Sequence, residues 1–128
     1  MQIRHKAFFH ALKQNGLKSD PTYAGSSYYI TQCMEKHLPR LLDLGITSIV
    51  CNHDLIANAA MIQCQQLGYK VPDEISIIGF DDLPICAYTS PPLTTIRQER
   101  IQLGKSAYYA LDSLMNQVSI GTLLLHAK

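Results

Sequence analysis

Tryptophan is absent from the 128 residues, proline and glycine stop at 6 and 7, and neither sign of charge dominates, with 11 Lys and Arg against 10 Asp and Glu. The modest Gly and Pro content excludes collagen-like and low-complexity chains. A hydrophobic content of 47% at a net charge of +1 excludes a chain too polar to collapse. The missing excess of Lys and Arg removes the electrostatic footprint of a nucleic-acid or anionic-membrane binder, because phosphate binding draws on clustered cations. This stretch is therefore not expected to read DNA itself. No apolar run nears the roughly 18 residues that cross a bilayer, and residues 1–6 lack the apolar core of a secretion signal. The expectation is a cytoplasmic chain with no membrane contact. Cys33, Cys51, Cys64 and Cys86 show neither CxxC nor Cys/His ligand spacing, and each stands in an apolar segment. They read as reduced, buried thiols that pack as small hydrophobes. A chain of this length has room for one ordinary core that buries roughly two-thirds of the unfolded surface.

What is present is an alternation of apolar periods. Over residues 4–14, Ala7, Phe8, Ala11 and Leu12 recur at helical spacing, and Asn15-Gly16 supplies a left-handed stop. The cations of this helix, Arg4, His5, Lys6, His10 and Lys13, read as its solvated face. Ser19-Asp20-Pro21 predicts a turn, residues 22–24 a short strand, and Gly25, Ser26, Ser27, Tyr28 and Tyr29 a polar, aromatic loop. Cys33, Met34, His37, Leu38, Leu41 and Leu42 form a second helical pattern up to Gly45, which Pro39 is expected to kink or split into two short helices.

Residues 46–51 are apolar and β-branched, and they give way abruptly to Asn52-His53-Asp54 and a periodic segment, 55–67, closed by Gly68. This reads as strand, polar loop, helix. A turn at 71–74 leads into Ile75-Ser76-Ile77-Ile78-Gly79-Phe80, a near-continuous run of the kind that parallel strands buried on both faces show. After Asp81-Asp82, two prolines at 91 and 92 force an extended crossing segment before Leu93-Thr94-Thr95-Ile96. Over 97–117, Ile101, Gly104, Tyr108, Leu111 and Met115 share one helical face, and 122–127 reads as the start of a further strand. There is no internal repeat and no linker. Strands alternating with helices of this length predict right-handed βαβ units, and so an α/β fold with a parallel sheet flanked by helices.

Ligands of open α/β sheets bind outside the carboxyl ends of the strands, which makes the two polar loops that follow strands, 52–54 and 81–82, the first candidates for a site. A carboxylate there accepts two hydrogen bonds in one plane, as adjacent sugar hydroxyls require, and an Arg can donate to the same ring. Asp54 and Asp82 have a simpler alternative, as caps of the following helix and turn. Asp81, the first residue beyond a buried strand, is the stronger candidate for the crevice. Catalysis finds little support. Neither G-x-x-x-x-G-K nor G-x-G-x-x-G occurs, Gly25-Ser26-Ser27 is not a nucleophile elbow, and adjacent His53 and Asp54 are poorly placed for a relay. No catalytic residue, metal ligand or cofactor is assigned.

The stretch 71–82, followed by Pro91-Pro92-Leu93-Thr94-Thr95-Ile96, resembles the effector-binding region of the LacI/GalR family of bacterial transcriptional repressors. Two further stretches agree in order and spacing. His53-Asp54 with Ala57 and Gly68 resembles that family's Asn-Asp loop and helix, and Arg4 with Phe8, Ala11 and Leu12 resembles its Arg-x-x-Gly-aromatic helix. The resemblance spans nearly the whole chain. His53 replaces the usual Asn, and Ala7 replaces the Gly after Arg4.

This resemblance implies a periplasmic-binding-protein-like fold of two Rossmann-like subdomains with a small effector, a sugar or related metabolite, held between them. Arg4 and Asp81 match the family's characteristic ligand contacts, His53 falls where an Asn makes one, and Gln98 falls at a cleft position after the crossing strand. Tyr28 or Tyr29 would stack on the ligand. The family's dimer surface maps near Leu55, Asn58, Ala59, Ile62, Ile85 and Tyr88, so a homodimer or higher oligomer is expected. By the same pattern, residues 1–96 form the C-terminal subdomain, 97–117 a helix of the N-terminal subdomain, and 118–128 a returning segment cut before the last strand. DNA would be bound only through a helix-turn-helix that these residues do not contain. A transport-type sugar-binding protein of the same fold and a dimerisation-only module are the alternatives.

Overall fold

The computed structural model describes residues 2–27 and 29–128. Its elements run α1 (Gln2–Gln14), a 3-10 turn (Pro21–Tyr23), α2 (Ile30–Asp43), β1 (Ser48–Val50), α3 (Asp54–Gln66), β2 (Ser76–Asp81), a 3-10 turn (Pro84–Tyr88), β3 (Thr94–Arg97) and α4 (Arg100–Met115). The three strands form one parallel sheet in the order β1-β2-β3, with Ile49 opposite Ile77 and Phe80 opposite Ile96. The α/β architecture with a parallel sheet and flanking helices is the one expected from the alternating periods.

β1, α3 and β2 form a βαβ unit, and its packing explains the core. Ala57, Ala60, Met61 and Cys64 of α3 meet Ile75 and Ile77, while Leu38 of α2, Cys51, Cys86 and Leu93 close the rest of the cluster. The small residues Ala57 and Ala60 let the helix approach the strand closely, and Met61 fills the irregular space beside them. Ile75, Ile77 and Gly79 are buried, whereas Ile78 and Phe80 on the opposite face are only half-buried. The apolar run is thus buried on one face and not on both, because α3 covers only the side to which alternate residues point. The glycines that end the first three helices, Gly16, Gly45 and Gly68, all have positive φ, as a left-handed helix stop requires.

Several local expectations are corrected. Residues 22–24 form no strand: Pro21 starts a 3-10 turn, and the Asp20 side chain caps it by accepting from Thr22 N at 2.9 Å. Pro39 does not interrupt α2, which runs unbroken from Ile30 to Asp43. Pro39 and Glu35 both lie on its exposed side, so the carbonyl that loses its amide partner faces water, while Cys33 and Leu38 anchor the opposite side. Arg97 belongs to β3 rather than to a helix, and α4 begins only at Arg100. Segment 122–127 is not a strand. The chain end instead returns to β3 at a single point, where Arg97 and Lys128 exchange two backbone hydrogen bonds of 2.5 and 2.9 Å. None of α4 is buried, and Ile101, Tyr108, Leu111 and Met115 are exposed. Among the described residues no helix is long and apolar enough to cross a membrane.

Candidate functional site

The parallel arrangement brings the carboxyl ends of all three strands to one side, and the polar groups collect there. β1 runs through Cys51 into the 52–53 loop. His53 is the N-cap of α3, with Nδ1 accepting from Leu55 N at 3.1 Å. A neutral ring whose Nδ1 accepts carries its proton on Nε2, and Nε2 lies 3.4 Å from Asp81 Oδ2. The Gln98 side-chain amide donates to the other oxygen, Oδ1, so the Asp81 carboxylate is held by Gln98 and lies between it and the His53 ring. Arg4, reaching in from α1, donates to the Asn52 carbonyl at 3.1 Å and stacks over the Phe80 ring at 3.9 Å. A guanidinium in that position gains from both the carbonyl and the ring face.

The backbone at the end of β2 is unusual. Asp81 and Asp82 have φ of +111° and +53°, a pair of L-residues in a region that costs each of them about 1–3 kcal/mol. Asp82 Oδ2 accepts from Arg97 Nε at 2.6 Å, and its carbonyl accepts from Arg100 at 2.9 Å, so Asp82 ties to the end of β3 and the start of α4 and does more than cap a turn.

Asp54 is neither the helix cap nor a crevice residue. It is fully buried, with Oδ2 accepting from Leu83 N at 2.7 Å and Oδ1 from the Thr95 hydroxyl at 2.5 Å. Burial would raise its pKa. The Leu83 amide, the Thr95 hydroxyl and the Cys86 thiol together outweigh burial and hold the carboxyl below the usual carboxylate range, so it is ionised at neutral pH. Gly79 gives it space: a Cβ there would stand 2.2 Å from Asp54 Oδ1.

Of the candidates named from sequence, Arg4, His53, Asp81 and Gln98 come together at this sheet edge. Tyr29 is the exposed N-cap of α2, and Tyr28 lies outside the described residues. A groove of about 510 Å³ opens beside Phe80 and Gln98, walled by Leu103 and Ala107 of α4 and by Leu124 of the returning segment. Among the described residues, no group of three His, Cys, Asp or Glu side chains is arranged to hold a metal ion.

Residues 1–122 match the family profile described as periplasmic binding protein-like domain. The chain belongs to that family. Its relatives place this periplasmic-binding-protein-like domain among LacI-family regulators. The transcriptional repressor CytR of Escherichia coli K12 is 34% identical over 121 residues, which are 93% of this chain and 36% of CytR. The repressor PurR of Aliivibrio salmonicida is 37% identical over 106 residues, 81% of this chain and 32% of PurR. This chain therefore spans about a third of the length of these relatives. Among solved structures, the regulator CcpA of Lactococcus lactis superposes with a TM-score of 0.82 at 30% identity, covering 94% of this chain and 45% of that one. The Lac repressor bound to ONPG gives 0.79 at 25%, covering 99% and 39%. A CelR–cellobiose complex gives 0.83 at 22% identity, covering 98% and 39%, which supports the fold alone.

Within this periplasmic-binding-protein-like domain, sequence reasoning missed Phe80, Thr95, Arg97 and Arg100. Phe80 had a usable signal, since alternation along β2 sets it on the face opposite buried Ile77 and Gly79, the side from which Arg4 approaches. Thr95 had none, because a hydroxyl on a short β-branched strand reads as ordinary strand composition.

Proposed function

We propose that this chain senses a small polar effector, a sugar or related metabolite, for a cytoplasmic LacI-type transcriptional regulator, and that it binds without catalysis. Effector binding would modulate DNA binding by a helix-turn-helix elsewhere in the regulator. The observation that carries this reading is the Asp81 carboxylate, held at the end of β2 between His53 and Gln98 with Arg4 alongside. The site offers one anionic acceptor, several directional donors and an aromatic face at Phe80. That combination suits hydroxyls on a ring better than it suits an anion. A ring from Tyr28 or Tyr29 is proposed to complete the stack. The transport-type alternative is not favoured, because the relatives are repressors.

Calorimetry on the full-length regulator with mono- and disaccharides, including cellobiose and sucrose, and with free nucleosides tests this reading. Asp81→Asn is expected to weaken the ligand that binds by about tenfold to a hundredfold, the equivalent of one lost charge-assisted hydrogen bond. Unchanged affinity would remove Asp81 from the site.

Residues 1–96 are read as one subdomain and α4 (Arg100–Met115) as a helix of the other, with 118–128 returning toward the first. Leu55, Asn58, Ala59 and Ile62 share a face of α3 by helical spacing, and Ile85 and Tyr88 lie on the second 3-10 turn. Leu55, Ile62, Ile85 and Tyr88 are exposed. We assign these six to a homodimer surface, since exposed apolar side chains such as Leu55, Ile62, Ile85 and Tyr88 favour a partner. Light scattering at high micromolar concentration is expected to give a dimer or larger species, and a monomer would overturn the assignment.

A further inference from the structure

We propose that Thr95 and Asp54 are a positioning pair that sets the left-handed turn at Asp81 and Asp82, and so holds the Asp81 carboxylate between His53 and Gln98. The functional side of this inference rests on the reading of Asp81 as an effector contact. Two consecutive L-residues at positive φ persist only where the surroundings over-determine them. The two amides that bracket the Asp82 backbone are both fixed from below. Asp82 N donates to Thr95 Oγ1 at 3.3 Å, and Leu83 N donates to Asp54 Oδ2 at 2.7 Å.

The two acceptors are themselves joined, because the Thr95 hydroxyl donates to Asp54 Oδ1 at 2.5 Å. The hydroxyl is thus a relay that accepts from the turn and donates to the buried carboxylate. A hydroxyl does both, and an alkyl group of the same shape does neither. The other contacts of Asp82, to Arg97 and Arg100, come from long, exposed side chains that do not define a backbone tightly. Asp54 has no exposed surface, so it acts on the site through the turn and not by touching a ligand.

The test uses Thr95→Val, which keeps the shape and loses the hydroxyl, against Thr95→Ser, which keeps the hydroxyl. Both are read without any effector by amide exchange and by the side-chain resonances of Gln98 and His53. In Thr95→Val, the amides of Asp82 and Leu83 are expected to exchange about tenfold to a hundredfold faster, while those of Met61 and Cys64 change far less. The Gln98 amide protons are expected to move to the position of an exposed glutamine. Thr95→Ser is expected to restore both signatures. Uniform acceleration at every amide would show a merely structural role and overturn the proposal, as would slow exchange at 82 and 83 with an unmoved Gln98. Thr95→Ala, which adds no bulk, carries the same comparison if the valine variant does not fold. Because no effector is added, failure of the wild-type chain to bind one would count against the functional reading and leave this result standing.

Discussion

Replacing Gly79 by alanine is expected to destabilise the fold by about 2–5 kcal/mol, although alanine is the better residue for an unfolded chain to lose freedom from. The entropic gain of Gly→Ala at a compatible site is about 0.4–1 kcal/mol. Gly79 is not such a site, and the reason is not its φ. The added Cβ would lie 2.2 Å from Asp54 Oδ1 and 3.3 Å from Asp54 Cα and Cγ. Overpacking a close contact costs about 1–3 kcal/mol. The carboxylate cannot turn aside without giving up the Leu83 amide or the Thr95 hydroxyl, and each such partner left buried without an acceptor costs about 1–3 kcal/mol more. For a domain of this size the thermal midpoint should fall by about 10–20 °C. A double-mutant cycle sharpens the test: with Asp54 already changed to alanine, Gly79→Ala should cost far less. A silent or stabilising Gly79→Ala would mean that the carboxylate does not sit against the strand.

The same pair of residues shows what the sequence could and could not disclose. That β2 would end at Asp81-Asp82 was legible, because an apolar run stops abruptly at two carboxylates. That the 52–54 and 81–82 loops would meet followed from the strands being parallel, which puts their carboxyl ends on one side, whereas Arg4 and Gln98 were legible only through the family resemblance. Which of His53 and Asp54 would cap α3 was not legible. Capping preference favours Asp, yet His53 takes the cap. Asp54 is drawn beneath the sheet by Leu83 and Thr95, partners 29 and 41 residues away in sequence. Local propensity carries no record of such partners. Pro39 illustrates the same limit from the other direction: its cost depends on whether the orphaned carbonyl faces water, and that is a property of the packed helix.

The four thiols are expected to be chemically silent while the chain is folded and to react fully once it unfolds. Cys33, Cys51, Cys64 and Cys86 are all free and buried. Burial, helped by the neighbouring Cys33, Cys64 and Asp54, pushes the Cys51 thiol up to about 12. Burial and the bond to the Asp54 carboxylate push Cys86 up to about 11. Burial also raises Cys33 and Cys64. The thiolate is the nucleophile, and at pH 8 a thiol near 12 keeps about one part in ten thousand ionised, against about a quarter for a free cysteine. Steric exclusion acts in the same direction. With an aromatic disulfide reagent at pH 8, the folded chain should show no thiol reacting at the rate of free cysteine, and the chain in guanidinium chloride should show four. One thiol labelling at the free rate in the folded chain would overturn this expectation. What labelling does occur must then pass through opening of the core, so its rate measures the opening equilibrium. Gly79→Ala, if it costs at least 2 kcal/mol, should accelerate that slow labelling by about thirtyfold or more, which ties the reactivity of the thiols to the contact between Gly79 and Asp54.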